Sequence, residues 1–318
     1  MEPIIKLKGV KKQFGKKVIL NSVDLDIYKG EIFGIIGMSG SGKSTLLNTL
    51  IGFYEPEEGD ILYYSKKQNK FTSVFTNTDE ARRNFGFATQ SASFYPKLTV
   101  AENIYHFGSL YNLTRKSIKK SADYLFNMTG LENAKDVLAQ NLSGGMEKKL
   151  LISCSIIHNP EILVLDEPTS DLDPISRKST WELIKKINSN GTTIIISSHF
   201  LLELEGVCDR LGILHNGKII AIGKPQELKS TYFKNDEIII ETSKQRYVQI
   251  GNMLKKYSRL KIDTIAVKDS KLLIRTNDSE KVLHQLIHIL ESLDENIISA
   301  DIRKPSLEEV FESLESKN

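Results

Sequence analysis

The stretch GMSGSGKS, Gly37 to Ser44, stands between the apolar run EIFGIIG and the helical pattern STLLNTLIG. Its spacing fits G-x-x-x-x-G-K-[ST], and a strand, a glycine loop and a helix start are the setting in which that match has physical meaning. Glycines allow consecutive backbone N–H groups to curve around a polyphosphate. The helix N-terminus adds partial positive charge, Lys43 reaches the terminal phosphates and Ser44 offers a hydroxyl to magnesium. Leu46, Leu47, Leu50 and Ile51 fall on one helical face, and Gly52 stops the helix. The expected phosphate-binding set is therefore Gly37, Ser39, Gly40, Ser41, Gly42, Lys43, Ser44 and Thr45.

A metal-bound phosphate also needs a carboxylate on a neighbouring strand. ILVLDE (Ile162 to Glu167) provides one in Asp166 at the end of a buried run, and Glu167 follows where a carboxylate can align and polarise an attacking water. The plain structural alternative, an acid on the turn that Pro168 makes, explains one of these residues better than both. EILVLDEP and TTIIISSH are β-branched runs that read as buried parallel strands, whereas VDLDI alternates as a half-exposed strand does. Asp173 caps a helix with Pro174 at its first position and Gly191 past its end, and RLGILHNGKIIAIG turns at Asn216-Gly217 as a hairpin. Strands and helices alternating in this way predict an α/β fold, a P-loop NTPase with a mixed, mostly parallel sheet.

Of the 20 glycines, only Gly251 lies beyond residue 230, so the first part bends around something and the second does not. The expected domains are residues 1–230 and 237–318, with the boundary near KSTYFKNDE. The second part reads as strand (Glu237 to Glu241), helix (Lys244 to Tyr257), two strands within KIDTIAVKDSKLLIRT, helix (Ser279 to Leu293), strand (Ile297 to Ile302) and a last helix from Ser306. That order predicts a small α+β domain of ferredoxin-like, split β-α-β type. With 318 residues and a 40% apolar share, the chain has enough material for two cores.

The 43 basic residues against 40 acids give no reason to expect nucleic acid. Cys154 and Cys208 lack metal-ligand spacing, fall in segments that read as helical and are expected to be buried free thiols. No run approaches the ~18 apolar residues of a membrane span, so the expectation is a soluble, cytoplasmic protein or one held to a membrane by another subunit. His284 and His288, four apart on a helix, lack a third ligand and are expected on a solvated face.

NLSGGMEKKL, Asn141 to Leu150, is a second serine-glycine cluster at a helix start, with no complete phosphate loop around it. A helix N-terminus contributes on the order of 1 kcal/mol to an anion at an exposed site, too little to hold a phosphate alone. With these residues in order, the first 230 or so resemble the ATP-binding cassette family. The resemblance implies ATP and Mg2+ as cofactors, with a helical subdomain added to the P-loop fold. It implies that Phe14 stacks on adenine, that Gln90 touches magnesium and water, and that Ser44, Gln90 and Asp166 form the metal set. It further implies that His199 contacts the terminal phosphate, so that Lys43, Gln90, Glu167 and His199 are the catalytic group. Ser143, Gly144, Gly145 and Asp173 would then act across a head-to-tail pair, on the ATP of a second subunit.

Two features depart from the family pattern. Met146 stands where the signature usually has glutamine, and Tyr63 to Arg83 is longer and more polar than usual and reads as a solvated excursion. The C-terminal part, ending KPSLEEVFESL, resembles the accessory domain of bacterial and archaeal exporter ATPases. The function implied is an ATPase subunit, homodimeric or paired with another cassette, that drives a separate integral membrane permease and lies on the inner face of the membrane. Two other classes fit less well. A translation or chromosome cassette would carry a charged linker and second cassette, or long coiled coils, and a non-hydrolysing gate would lack Glu167 or His199. Gln90 through SASFYPKLTVAENIYHFGSLY is the expected coupling surface.

Overall fold

In a computed structural model of the chain, residues 2–232, 236–257 and 260–303 are described. The chain divides into two compact units, Met1–Lys224 and Pro225–Asn318. The division precedes the expected end at residue 230.

The first unit opens with β1 (Pro3–Phe14) and β2 (Lys17–Tyr28), then β3 (Ile32–Ile36) and α1 (Lys43–Leu50). Next come β4 (Glu58–Ser65), β5 (Lys70–Ser73), α2 (Thr78–Asn84) and β6 (Phe85–Ala88). A helical insertion follows, made of α3 (Val100–Leu110), α4 (Arg115–Thr129) and α5 (Gly144–Ile156). Then β7 (Ile162–Asp166), α6 (Pro174–Ser189), β8 (Thr193–Ser198), α7 (Leu201–Glu205), β9 (Arg210–His215) and β10 (Lys218–Gly223) complete it.

One sheet has the order β10-β9-β3-β8-β7-β6, parallel except for the β9–β10 hairpin. Every residue of β3, β7 and β8 is buried, which is why each reads as an unbroken apolar run with polar residues only at its end. The other sheet, β2-β1-β4-β5, is antiparallel, and its alternating inner residues Ile5, Leu7, Val23, Leu25 and Ile27 join the core against α1. Only the VDLDI part of it is legible in the sequence, because lysines interrupt β1 on its outward positions. The mixed P-loop sheet with helices is the expected fold class.

Two expectations are corrected. Tyr63 to Arg83 is not a solvated excursion: it forms the end of β4, β5 and α2, and Tyr63, Val74 and Ala81 are core residues. The turn between β4 and β5 is exposed, as are Thr76 and the outer residues of α2, while Asn77 caps α2 by accepting from the Glu80 N–H at 3.3 Å. Cys154 lies on α5 as expected, but Cys208 sits between α7 and β9. Both are buried and burial pushes both thiols up. Cys208 fills space left by Gly34, where an added Cβ would lie 2.9 Å from its sulfur.

The second unit holds α8 (Pro225–Tyr232), β11 (Asp236–Thr242), α9 (Tyr247–Lys256), β12 (Ile262–Lys268), β13 (Lys271–Thr276), α10 (Ser279–Ser292) and β14 (Ile297–Arg303). The antiparallel order β12-β13-β11-β14 puts the first and third strands side by side at the centre, the ferredoxin-like arrangement. Ile238, Ile240, Leu272 and Ile274 meet Ile250, Leu254, Leu286 and Ile289 of α9 and α10 in one core. The first helix starts at Tyr247, not Lys244, because the Glu295 carboxylate takes the N–H groups of Lys244 and Arg246 at 2.8 and 3.0 Å. On the other face Glu237, 1% exposed, is held by Arg275 at 3.2 Å and Arg303 at 2.8 Å from the strands on either side. His284 and His288 are exposed on α10, and among the described residues no cluster of three His, Cys, Asp or Glu is placed to hold a metal. The helix expected from Ser306 lies outside the described residues.

His158, after α5, stacks on Tyr111 with ring centroids 3.5 Å apart, and its Nε2 donates to the Phe85 carbonyl at 3.1 Å. Its Nδ1 is buried without a partner, so a proton there would be a buried charge, and burial lowers the ring's pKa from 6.5 to about 4. The neutral ring's contribution is intact above pH 6.5 and is lost as pH falls toward about 4. Thermal melts at about pH 7.5 and about pH 5 should therefore show a larger drop in Tm for the native chain than for His158→Gln. Equal drops in the two proteins would remove His158 as a source of acid sensitivity.

Candidate functional site

The parallel register sets the site. Ile36 lies beside Ser198 and Asp166 beside Ser197, so β3, β8 and β7 end together and their following residues converge. From β3 the chain enters the phosphate loop. An added Cβ on Gly37 would lie 2.4 Å from the Leu214 carbonyl, so only glycine fits against β9 there. Gly42 caps α1 at φ 106, and Lys43, Ser44 and Thr45 form the first turn of that helix. Lys43 is 8% exposed and donates to the carbonyls of Gly37 at 2.8 Å and Met38 at 3.1 Å. Burial pushes its ammonium pKa down, while Glu167 and Asp166 pull against that shift. The Ser41 hydroxyl is buried with no partner, an orphaned donor inside the loop that a phosphate oxygen would satisfy. Ser39 and Ser44 are exposed at the rim.

Asp166 and Glu167 end β7 and are 6% and 7% exposed. Ser197 of β8 organises both: its hydroxyl donates to Asp166 Oδ1 at 2.5 Å and accepts from the Glu167 N–H at 3.1 Å. Glu167 has φ 50, in the left-handed region that costs a non-glycine residue on the order of 1 kcal/mol or more. That turn aims its carboxylate at His199 Nδ1, 2.5 Å away, and at Lys43 Nζ, 3.9 Å away. A carboxylate only accepts, so His199 donates from Nδ1 and fixes the glutamate's orientation.

The structure thus brings together Gly37 to Lys43, Asp166, Glu167 and His199. Phe14, at the end of β1, is 46% exposed, with an edge contact to Tyr54 at 5.2 Å and the Lys12 ammonium over its ring at 5.4 Å. The Gln90 side chain is exposed after β6, and its carbonyl accepts from Lys148 at 2.6 Å. Ser143 and Gly144 are exposed at the start of α5, and Ser143 makes no side-chain cap. Gly145 is buried, because a Cβ there would lie 2.7 Å from Ser176 Oγ at the start of α6. Asp173 is committed to its own helix: its Oδ1 accepts from the N–H groups of Ile175 at 2.9 Å and Ser176 at 3.0 Å. The Ser176 contacts hold its carboxyl below the usual range. Among the described residues, no hydrogen bond or ion pair joins Ser143, Gly144, Gly145 or Asp173 to the phosphate loop. Beyond the expected residues, Glu203 gathers Arg177 at 3.0 Å, Trp181 Nε1 at 2.7 Å and Thr169 at 3.2 Å. Sequence reasoning missed Ser197, Lys148 and Glu203; only Ser197 left a signal, as the first hydroxyl after the apolar run of TTIIISSH.

A polyphosphate loop at the edge of a parallel sheet, with a paired Asp-Glu strand end beside it, defines a P-loop nucleotide hydrolase. The family described as ABC transporter matches residues 20–170. The linearmycin resistance ATP-binding protein LnrL of Bacillus subtilis (strain 168) is 32% identical over 312 residues, covering 98% of each chain. The Nod factor export ATP-binding protein I of Bradyrhizobium diazoefficiens is 32% identical over 307 residues, covering 96% of this chain and 94% of that one. Among solved structures, a dimeric bacterial ABC transporter cassette superposes with a TM-score of 0.62 at 30% identity, over 70% of this chain and 98% of that one. A dimeric post-hydrolysis cassette bound to ADP and Pi does so with a TM-score of 0.61 at 29% identity, over 70% of this chain and 98% of that one. The chain belongs to the ATP-binding subunits of ABC transporters, a family of ATPases.

Because Ser197 holds both acids without touching the loop, Ser197→Ala should lower kcat for ATP about tenfold with KM little changed. Steady-state ATPase kinetics check this, and a loss confined to KM would place Ser197 in nucleotide binding instead.

Proposed function

We propose that the chain is the ATP-hydrolysing subunit of an exporter, driving a separate membrane permease. The observation that carries the hydrolytic reading is the Glu167 carboxylate, held by His199 at 2.5 Å and facing Lys43 at 3.9 Å beside the phosphate loop. The names of the relatives, for Nod factor export and linearmycin resistance, support the direction. Among the described residues no helix is long and apolar enough to cross a membrane, which supports a permease on another chain, with this subunit peripheral on the cytoplasmic face. Residues 237–318 would form the accessory domain of such subunits.

The donor set fits a hard cation. The Ser44 hydroxyl, the Asp166 carboxylate and the Gln90 side chain would hold Mg2+ through oxygen, the ligand type such a cation takes. When bound, Mg2+ would supply positive charge to offset the negative charge of the phosphates. Lys43 trades its loop carbonyls for the terminal phosphates. Gly37 to Thr45 orient the chain of phosphates, and Phe14 stacks on adenine. Glu167 takes the proton of the attacking water, with His199 keeping its carboxylate aimed and contacting the terminal phosphate. Ser143, Gly144 and Gly145, with the Asp173 loop, act on the ATP of a partner cassette; the exposed start of α5 supports this reading, and the partner is a second copy or a paired subunit. Tyr95 and Tyr105, 49% and 36% exposed, carry the surface that receives the permease, with Phe94 turned inward at 9%.

Glu167→Gln should stop turnover and accumulate an ATP-bound dimer on size exclusion with light scattering. Ser143→Arg should remove both dimer and turnover while the monomer still binds ATP, and normal hydrolysis by that variant would end the head-to-tail reading. Charge substitutions at Tyr95 and Tyr105 should release a co-purifying permease; retained binding and transport would move the coupling surface elsewhere.

A further inference from the structure

Lys148 lies on α5, a little over one turn past the exposed signature residues, and its ammonium reaches two other segments. Nζ donates to the Gln90 carbonyl at 2.6 Å and to Ser170 Oγ at 3.4 Å. Ser170 continues the chain, since its hydroxyl and its N–H both donate to the Glu167 carbonyl, at 3.0 and 3.2 Å. That carbonyl belongs to the residue held at φ 50, so the Ser170 contacts help fix the peptide that aims the catalytic carboxylate. Lys148 also lines a crevice of about 190 Å³ with Phe94, Gly144, Leu151 and Leu172, between the loop after β6, the signature helix and the segment before α6.

A lysine in such a place usually faces a carboxylate. Here, among the described residues, none lies within ion-pair distance, and the hydrogen bonds of Lys148 go to a neutral carbonyl and a hydroxyl. Burial pushes its ammonium pKa down, while Asp171, Glu147, Glu167 and Asp166 oppose the shift from further off. The carbonyl and hydroxyl give the ammonium its direction. A point charge on a flexible stem can follow one partner only by leaving the other. Displacing the Gln90 carbonyl therefore draws the ammonium from Ser170 and loosens the Glu167 peptide.

We propose that Lys148 is a positioning residue that reports the place of the loop beginning at Gln90 to the Glu167 peptide, joining the signature helix, that loop and the catalytic strand end. This rests on Glu167 being the general base. A purely structural lysine would change stability and leave the kinetics of the folded protein alone.

The test is steady-state ATPase kinetics on the full chain for Lys148→Met, Lys148→Arg, Ser170→Ala and the Met/Ala double variant. ATP affinity and thermal melts are measured on each, and assays run well below the lowest Tm. Lys148→Met should lose about tenfold in kcat with KM and ATP affinity within about twofold of the native chain, and Lys148→Arg should recover most of the loss. Because both links act in one chain, the double variant should be no worse than Lys148→Met alone. Native kcat in Lys148→Met, no recovery by arginine in a protein that melts normally, or losses that multiply in the double variant would each overturn the proposal. Glu167→Gln in parallel separates the two readings: if it still turned over, the general-base assignment would fail first, whereas a dead Glu167→Gln beside a native Lys148→Met sinks Lys148 only.

Discussion

The common end of three buried parallel strands is the constraint from which the site follows. Nothing on β3, β7 or β8 is exposed, so none of them can slip in register without burying a polar end or exposing an apolar one. The register places Ser197 beside Asp166 and Ser198 beside Ile36, and the phosphate loop, the two acids and His199 have to leave the sheet at the same edge. Each full side-chain burial in such strands contributes on the order of 2 kcal/mol, which offsets the polar groups gathered at their tips. Core and site are in this sense one arrangement, since the apolar runs hold still what the polar ends do.

At that edge, charges are balanced locally. Burial pushes the Lys43 pKa down while Glu167 and Asp166 oppose that shift, and Glu167 is turned by an unfavourable backbone angle toward a histidine. The cost of that angle is met by hydrogen bonds on both sides of the residue, its N–H going to Ser197 and its carbonyl accepting from Ser170. Preorganisation here means that protein groups, His199 on the carboxylate and Ser197 and Ser170 on the backbone, hold the residue in position.

Local patterns made much of this legible in the sequence. The loop glycines, the strand-end acids, the Asp173-Pro174 cap and the Asn216-Gly217 hairpin are short-range signals, and each formed where its residues said it would. The β1–β4–β5 layer was hidden because lysines and threonines occupy its outward positions, so Tyr63 and Val74 read as part of a polar stretch although they pack on Phe85 and Ala81. Ser197, Ser170, Lys148 and Glu203 were hidden for a different reason. Their roles depend on partners 22 to 58 residues away, apart from Ser170's bond to Glu167, and no spacing rule carries that information. The ferredoxin-like order of the second unit was readable because its strands and helices alternate without insertions, whereas the capture of the α9 start by Glu295 spans about fifty residues of sequence.

The two signature glycines sit side by side and answer to different surroundings. Gly145 has no room for a methyl group because Ser176 occupies it, while the nearest atom to a methyl on Gly144 is Leu172 Cδ2 at 3.7 Å, an ordinary contact. In a saturation library, intolerance at position 145 therefore reports on how two helices of one molecule meet. Among the described residues no steric source of intolerance at position 144 is found, so comparing the adjacent pair separates substitutions that crowd the fold at 145 from those that do not at 144.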